Sequence, residues 1–497
     1  MKRYILVLSF LITLLSSCKD SFLDLTDPTK IPTDNLFTSQ ANVTAAVNAV
    51  YNGLLSIYNP TYFVFGELST DNAYEVVSAN AHYFFNIYNV DPSNANLQAM
   101  WTSSYKCISR ANTVLAKAGA VKMDTTLKNR YLAEMKFIRA LNYFNLVRIW
   151  GDVPLVTDDL SDNYQAAYAY GRTPTAKVYD QIILDLKAAE AVLPTTYANA
   201  DLGRPTSVSA KALLGKVYLT QQNYEQAVAK LGELIPGTPT AGKFATVNSL
   251  ITTSYGDIFS TANEMNKEIV YAVRYLAGGI GLGSTFASAF EPLFSGADIV
   301  QLGGVAQRLD LYTAYAGADK RATFSTTYYT KSGQADYFTR KYIINGPPYA
   351  VNDGDNDWIV LRYSDVLLMH AEALNELGKP TDALPYINQV RARAGLPNLT
   401  GLSQSDLRLA IETERRLEFS FEGHRWFDLV RTNRLIPVMN AFYTKYSSVP
   451  NTVDVPNKGL FVKSGGAIVQ VQQSQMLFPI PLAEIQYNPI LTQNPGY

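Results

Sequence analysis

Between Thr126 and Trp150 the apolar residues fall in two neighbouring stripes: Leu127, Tyr131, Met135, Ile138 and Leu141 in one, Ala133, Phe137, Ala140, Phe144 and Val147 in the other. Steps of three and four set each stripe along one helix face, so the pattern predicts a helix buried on two sides, inside a multi-helix array. Further on, "SAKALLGKVYLTQQNYEQAVAKLGELIPG" places Leu214, Gly215, Tyr218 and Ala227 at the offsets of a tetratricopeptide repeat. That arrangement needs a small residue where two helices cross, an aromatic one turn on and an alanine on the returning helix. A second copy lies in "LLMHAEALNELGKPTDALPYINQVRARAG", where Ala371, Leu374 and Ala383 repeat the spacing of Gly215, Tyr218 and Ala227. Fainter helices are predicted at 41–56, 97–118 and 174–193, the last opened by Pro174. Four segments break the pattern, at about 57–95, 151–172, 237–360 and 437–497, and there the tyrosines, glycines and prolines collect. The expected fold is mainly α: tetratricopeptide-like helical hairpins form a scaffold, and long loop-rich insertions carry the ligand site. No linker or charge run divides the chain, so residues 31–497 are expected to form one domain.

The N-terminus has a different pattern. Lys2 and Arg3 precede the apolar run Tyr4–Leu15, which gives way to Ser16, Ser17 and Cys18. About twelve apolar residues are too few to span a bilayer, and the layout is that of an export signal. Leu15-Ser16-Ser17-Cys18 resembles a bacterial lipobox. Residues 1–17 are therefore expected to be cleaved, Cys18 to be lipidated, and 18–30 to act as anchor and tether. Removing Lys2 and Arg3 takes the formal charge from −1 to −3. So weak a field gives no basis for nucleic-acid binding. With Cys18 acylated, Cys107 is the remaining cysteine of the two, which excludes an intrachain disulfide. The 47% hydrophobic content excludes a disordered chain, and 33 tyrosines stand against 4 tryptophans.

Catalytic chemistry has little to build on. His82, His370 and His424 are scattered, which does not favour zinc, and no cofactor is implied. His370 on an apolar helix face reads as a core residue, and Cys107, within a predicted helix, as a buried structural thiol. The stretch "GGIGLGS" at 278–284 lacks the residues of a dinucleotide or phosphate loop and reads as flexible backbone. Asp353, Asp355 and Asp357 alternate like the start of a calcium loop, but Trp358 stands where glycine is required, so a solvated turn is expected and no metal. In 412–431 the pairs Glu412/Arg416, Arg415/Glu418, Glu422/Arg425 and Asp428/Arg431 have helix-surface spacing, and Gly423 permits a close backbone approach. The remaining signal is aromatic. "YNPTYFVFGELSTDNAYEV" and "NAHYFFNIY" interleave rings with Asp71, Asn72, His82 and Asn86. Flat rings suit the C–H faces of a sugar, and amides and carboxylates suit its hydroxyls. The competing reading is that the rings fill gaps in a loop-rich fold.

Several stretches, in order, resemble the SusD/RagB family of outer-membrane nutrient-binding lipoproteins. They include "CKDSFLDLTDPTKIPTDNLF", "MWTSSYKCISRANTVL", "EMKFIRALNYFNLVRIWGDVPLV", "LRYSDVLLMHAEALNELG", "ERRLEFSFEGHRWFDLVR" and "MLFPIPLAEIQYNPILTQNPGY". The resemblance spans essentially the whole chain. It implies a surface-exposed lipoprotein of the outer membrane that sits on a SusC-like TonB-dependent transporter as a hinged lid, capturing an oligosaccharide without chemistry. It also implies ligand contacts from Ser69–Asn72 onward to the Trp101 helix, and from a middle insertion near Tyr275–Tyr329. The expected contacts are Asp71, Asn72, Tyr74 and Tyr83, then Tyr275, Phe286 and Phe290, with Trp101 assigned to packing. The alternatives are the same role for a peptide or another nutrient, and a periplasmic repeat scaffold.

Overall fold

In a computed structural model of the chain the residues described are 37–59, 61–241, 243–291, 304–315, 317–331, 334–343, 353–447 and 467–497. The expected signal segment, Cys18 and the tether lie outside them. Eight helices form successive packed pairs: α1 (Gln40–Tyr58) with α2 (Ala95–Lys117), α3 (Thr125–Trp150) with α4 (Thr175–Val192), α5 (Ser207–Thr220) with α6 (Tyr224–Gly232), and α7 (Tyr363–Glu376) with α8 (Pro380–Arg393). Each pair also packs on the next, so the mainly α, repeat-like scaffold expected from periodicity is what the chain forms.

Local chemistry sets the helix ends. The Asp124 carboxylate accepts the Leu127 N–H at the start of α3, and Thr206 and Ser209 form a capping box at the start of α5. Both faces of α3 are buried, as the two stripes require. Gly215 shows why the repeat wants a small residue: a Cβ there would stand 2.5 Å from Leu231 on α6. Three more helices, α9 (Gln404–Glu418), α10 (Arg425–Arg431) and α11 (Leu435–Ser447), close the scaffold, with α9 against α7 and α8. Among the described residues, no helix is long and apolar enough to cross a membrane.

Strands are short and come from the insertions. β1 (Ala73–Glu75) pairs antiparallel with β3 (Val305–Gln307), β2 (Ile269–Val273) with β6 (Trp358–Arg362), and β4 (Thr327–Lys331) with β5 (Gln334–Phe338). β3 also lies against β5.

Two sequence expectations are corrected here by one set of four hydrogen bonds. Asp353 Oδ2 accepts the N–H groups of Gly278 and Gly279 at 2.9 and 2.7 Å, Asp355 Oδ1 that of Ala277 at 2.6 Å, and Asp357 Oδ1 that of Tyr275 at 2.9 Å. Residues 353–357 are thus a clasp rather than a free turn, and the backbone at the start of "GGIGLGS" is held. Alternating carboxylates reach a backbone edge because strand-like geometry points every second side chain the same way.

Candidate functional site

The stretch Ser69–Asn72 follows a single π-helical turn, Val64–Leu68, which is fully buried. Gly66 lies so close to the turn after α9 that a Cβ would stand 2.5 Å from the Gly423 Cα and carbonyl oxygen. This is the close approach expected of Gly423. Glu67 Oε1 accepts the Gly423 N–H at 2.8 Å and Oε2 accepts Asn72 Nδ2 at 3.0 Å, while burial pushes the carboxyl up to about 7. Asp71 receives Arg425 Nε and Nη2 at 2.8 and 3.0 Å, with Arg416 Nη2 3.1 Å away. Burial acts to raise the Asp71 pKa, but the Arg416 and Arg425 guanidiniums outweigh it and hold the carboxylate well below its usual range. Asn72 Oδ1 accepts Arg416 Nε at 2.9 Å. Both polar residues expected to meet ligand therefore have their partners inside the protein, and their role in this geometry is to anchor the loop.

The same contacts correct the expected helix-surface ion pairs. Arg416 and Arg425 leave Glu412 and Glu422 for Asp71, and Glu412 instead takes Arg434 at 2.9 Å with Arg425 at 3.4 Å. Arg415 binds Asp365 and Asp428, and Glu422 binds Lys341 and Arg362. Glu418 is ringed by Arg321, Arg362 and Arg393. Of the four expected pairs, Asp428–Arg431 forms, at 2.8 Å. The reason is burial: Glu414, Arg415, Glu418, Glu422 and Arg425 face inward, where each charge needs a desolvated partner that its own helix cannot supply.

Tyr74 leads from this anchor to the surface. Its ring is buried, with the Arg308 guanidinium 5.2 Å from the ring centroid, and it clusters with Ala306, Val76 and Tyr83. Tyr83 is half-buried and meets Phe84 edge-on at 6.1 Å, and Phe84 is 38% exposed. The backbone beneath is pinned from both sides: Asn86 exchanges two 2.9 Å hydrogen bonds with the Glu75 backbone, and His82 lies 3.3 Å from the Glu75 carboxylate. Beyond β3, Tyr337 of β5 packs at a tilt against Tyr312 at 4.2 Å and Tyr328 at 5.0 Å, and Tyr328 is 38% exposed. Partly exposed rings thus flank the β1–β3 and β4–β5 pairs, Tyr83 and Phe84 on the short helix Tyr83–Asn86 beside β1 and Tyr328 on β4. Rings presented in this way offer apolar faces to a ligand with little ordering cost.

Tyr275, Phe286 and Phe290 are elsewhere, and their expected ligand contact is corrected. Tyr275 donates its hydroxyl to the Leu55 carbonyl at 2.9 Å and meets Phe286 edge-on at 5.4 Å. Phe286 packs on Trp358 at 5.1 Å, and Phe290 on Phe63 and Tyr342 at 5.0 and 5.1 Å. All three fill the aromatic core between the middle insertion and the scaffold. Of the seven residues named from sequence, Tyr83 alone keeps an accessible face. Phe84, Tyr312 and Tyr328 were not singled out, although Phe84 adjoins Tyr83 and the other two lie within the region 275–329. Trp101 is packed, as expected, and Cys107 is buried with its thiol pushed up to about 12. His370 is buried too, and burial lowers it to about 4.

Comparison with known proteins covers both ends of this architecture. A family model described as "SusD family" matches residues 293–497, and one described as "Starch-binding associating with outer membrane" matches 21–219. A SusD-like protein of Formosa agariphila is 28% identical over 99% of this chain and 99% of its own length, and one of Bacteroides ovatus is 26% identical over 100% and 98%. Among solved structures, a laminarin-binding SusD-like protein is 27% identical with a TM-score of 0.74, covering 93% of this chain and 100% of its own. A SusD superfamily protein of Parabacteroides distasonis, 26% identical, superposes with a TM-score of 0.75 over the same shares. Matches to both halves, full-length relatives and a shared fold agree with the motif order along the sequence, and the chain belongs to the SusD/RagB family.

Proposed function

We propose that the protein is a cell-surface glycan-binding lipoprotein of the outer membrane, which captures oligosaccharides and delivers them to a SusC-like TonB-dependent transporter as its lid. The observation that carries the reading is the set of partly exposed rings, Tyr83 and Phe84 on the short helix Tyr83–Asn86 braced against β1, and Tyr328 on β4. Support comes also from a 27% identical structure whose protein binds laminarin. In this reading the ligand sugar stacks on those rings, and Asp71 and Asn72 act one layer below, holding the loop that presents Tyr83. Cys18 carries the lipid anchor, residues 18–30 form the tether, and no bond of the ligand is made or broken.

The test is a glycan screen followed by calorimetry on the chain from Lys19 onward. Saturable oligosaccharide binding without product release is expected, weakened about tenfold by Tyr83→Ala or Phe84→Ala, which corresponds to ~1.4 kcal/mol. Peptide binding with no glycan binding would replace the ligand class. In intact cells, protease shaving removes a surface-facing chain, whereas a periplasmic scaffold survives.

A further inference from the structure

A second concave site lies away from the ring-bearing strands, where α2 meets the connection after α3 and the C-terminal segment. It encloses about 570 Å³, a volume typical of small-molecule sites. Its walls are mainly apolar, with Trp101, Tyr105 and Ile108 from α2, Val156 and Leu160 from the connection, and Leu491 from the C-terminus, while Asp158 and Glu484 bring carboxylates to its lining. Two further rings stand at the mouth. Tyr164 is 65% exposed, and Tyr168 is 44% exposed with Tyr487 stacked on it at 6.3 Å and 29°. Nothing in the proposed glycan contacts uses these residues.

The polar groups around this slot narrow the ligand class. The Tyr105 hydroxyl is committed to the Pro154 carbonyl at 2.8 Å. Asp158 accepts the Tyr170 hydroxyl at 2.6 Å, Glu484 accepts the Gln98 amide, and Asn488 is engaged by the Tyr170 carbonyl and the Ile490 N–H. A flat aromatic ring matches the apolar part of the walls. At the edge, Lys106 is exposed and has no acidic partner among the described residues, and Arg110 spends one N–H on the Ala49 carbonyl at 3.0 Å. A ligand with a flat apolar body and a negative end satisfies both features.

We propose that this slot binds an aromatic carboxylate of the hydroxycinnamate type, its ring between Tyr168 and the Trp101–Tyr105 wall and its carboxylate at Lys106. The inference does not rest on the glycan reading. The probe is 4-hydroxycinnamate, titrated into the chain from Lys19 onward by calorimetry and saturation-transfer NMR, beside its uncharged methyl ester and laminaribiose. Saturable binding of the acid is expected, about tenfold tighter than that of the ester. Lys106→Gln should erase that preference, and Leu160→Trp, which fills the slot from a half-buried position, should abolish binding with the melting temperature unchanged. Absence of saturable binding, equal affinity for acid and ester, tighter binding of the disaccharide, or indifference to both substitutions would each overturn the proposal.

Discussion

Replacing Asp71 with asparagine separates an anchoring role from ligand contact. The wild-type carboxylate is almost wholly buried, receives two hydrogen bonds from Arg425 at 2.8 and 3.0 Å, and has Arg416 at 3.1 Å. The amide of Asp71→Asn would retain the volume and one acceptor but not the charge. As carboxylate partners Arg425 would be left with Glu412 at 3.4 Å and Arg416 with Asp310 at 3.2 Å, Arg416 also keeping the Asn72 side-chain oxygen and the backbone carbonyl of residue 71. Removing one partner of a buried pair costs about 3–5 kcal/mol, and the retained acceptor sets the expectation near ~3 kcal/mol. Unfolding entropy of about 2.1 cal/mol/K per residue amounts to roughly 1 kcal/mol/K for a chain of this length, so the melting temperature should fall by about 3 °C. The gap also has a definite pH dependence. Because the folded pKa is depressed, the Asp71 contribution is fully present above the unfolded carboxylate value near ~4 and fades as pH falls toward the folded value. Scanning calorimetry from pH 8 to 5 should therefore give a constant gap between wild type and variant, narrowing below about pH 4. An unchanged melting temperature combined with lost oligosaccharide binding would refute the reasoning and return Asp71 to direct contact.

Gly66→Ala should destabilise by at least ~1–3 kcal/mol, because the new Cβ meets the Gly423 backbone at 2.5 Å, whereas Gly119→Ala, with open space around it, should leave the melting temperature unchanged. Soluble yield and thermal melts of the two variants check this. Glu67 has the opposite sign to Asp71: burial raises its folded pKa to about 7, so its stabilising contribution is complete below the unfolded value and is lost as pH rises through 7. Relative to Glu67→Gln, wild type should lose of order 2–3 kcal/mol between about pH 4.5 and 7.5, read from melts across that range. Cys107 lies within α2 with its thiol pushed up to about 12, so a chain beginning at Lys19 should react with Ellman's reagent only as fast as it unfolds. Stoichiometric labelling of the native protein within minutes would contradict that burial.

The scaffold was legible because helix periodicity and capping act within a few residues. The predicted 41–56, 97–118, 126–150 and 174–193 became Gln40–Tyr58, Ala95–Lys117, Thr125–Trp150 and Thr175–Val192, with three of the four starts fixed by Ser39, Asn94 and Asp124 side chains. Partnerships across hundreds of residues left no such local mark. Asp71 meets Arg425 at a separation of 354 positions, so the sequence showed a polar residue among rings without showing that its charge was already balanced. Tyr275, Phe286 and Phe290 lie in a loop-rich insertion, which suggested a surface, but the insertion folds back and its largest rings complete the core. Tyr83 is accessible because it opens the short helix Tyr83–Asn86, whose later residues Phe85 and Asn86 take the buried side.

The distribution of charge explains how such irregular insertions hold rings in fixed places. Arg321, Lys341 and Arg362 come from the middle insertion and its closing strand, and each ends on acids of α9 or the turn that follows: Arg321 on Glu414 and Glu418, Lys341 on Glu422, and Arg362 on Glu418 and Glu422. Asp71 docks on Arg416 and Arg425, which bracket that same turn. Apolar packing alone tolerates sliding, whereas a buried charge displaced by one residue loses its partner at a cost of several kcal/mol. The two insertions that carry Tyr83 and Tyr328 are therefore registered against one common element, although they are far apart in sequence. A ligand spanning both meets rings whose relative position was set when the chain folded, so binding need not order them. By the same logic the anchor and the rings differ in tolerance: Asp71, Arg416 and Arg425 are constrained by buried charge, while Tyr83, Phe84 and Tyr328 are partly exposed and free of that constraint.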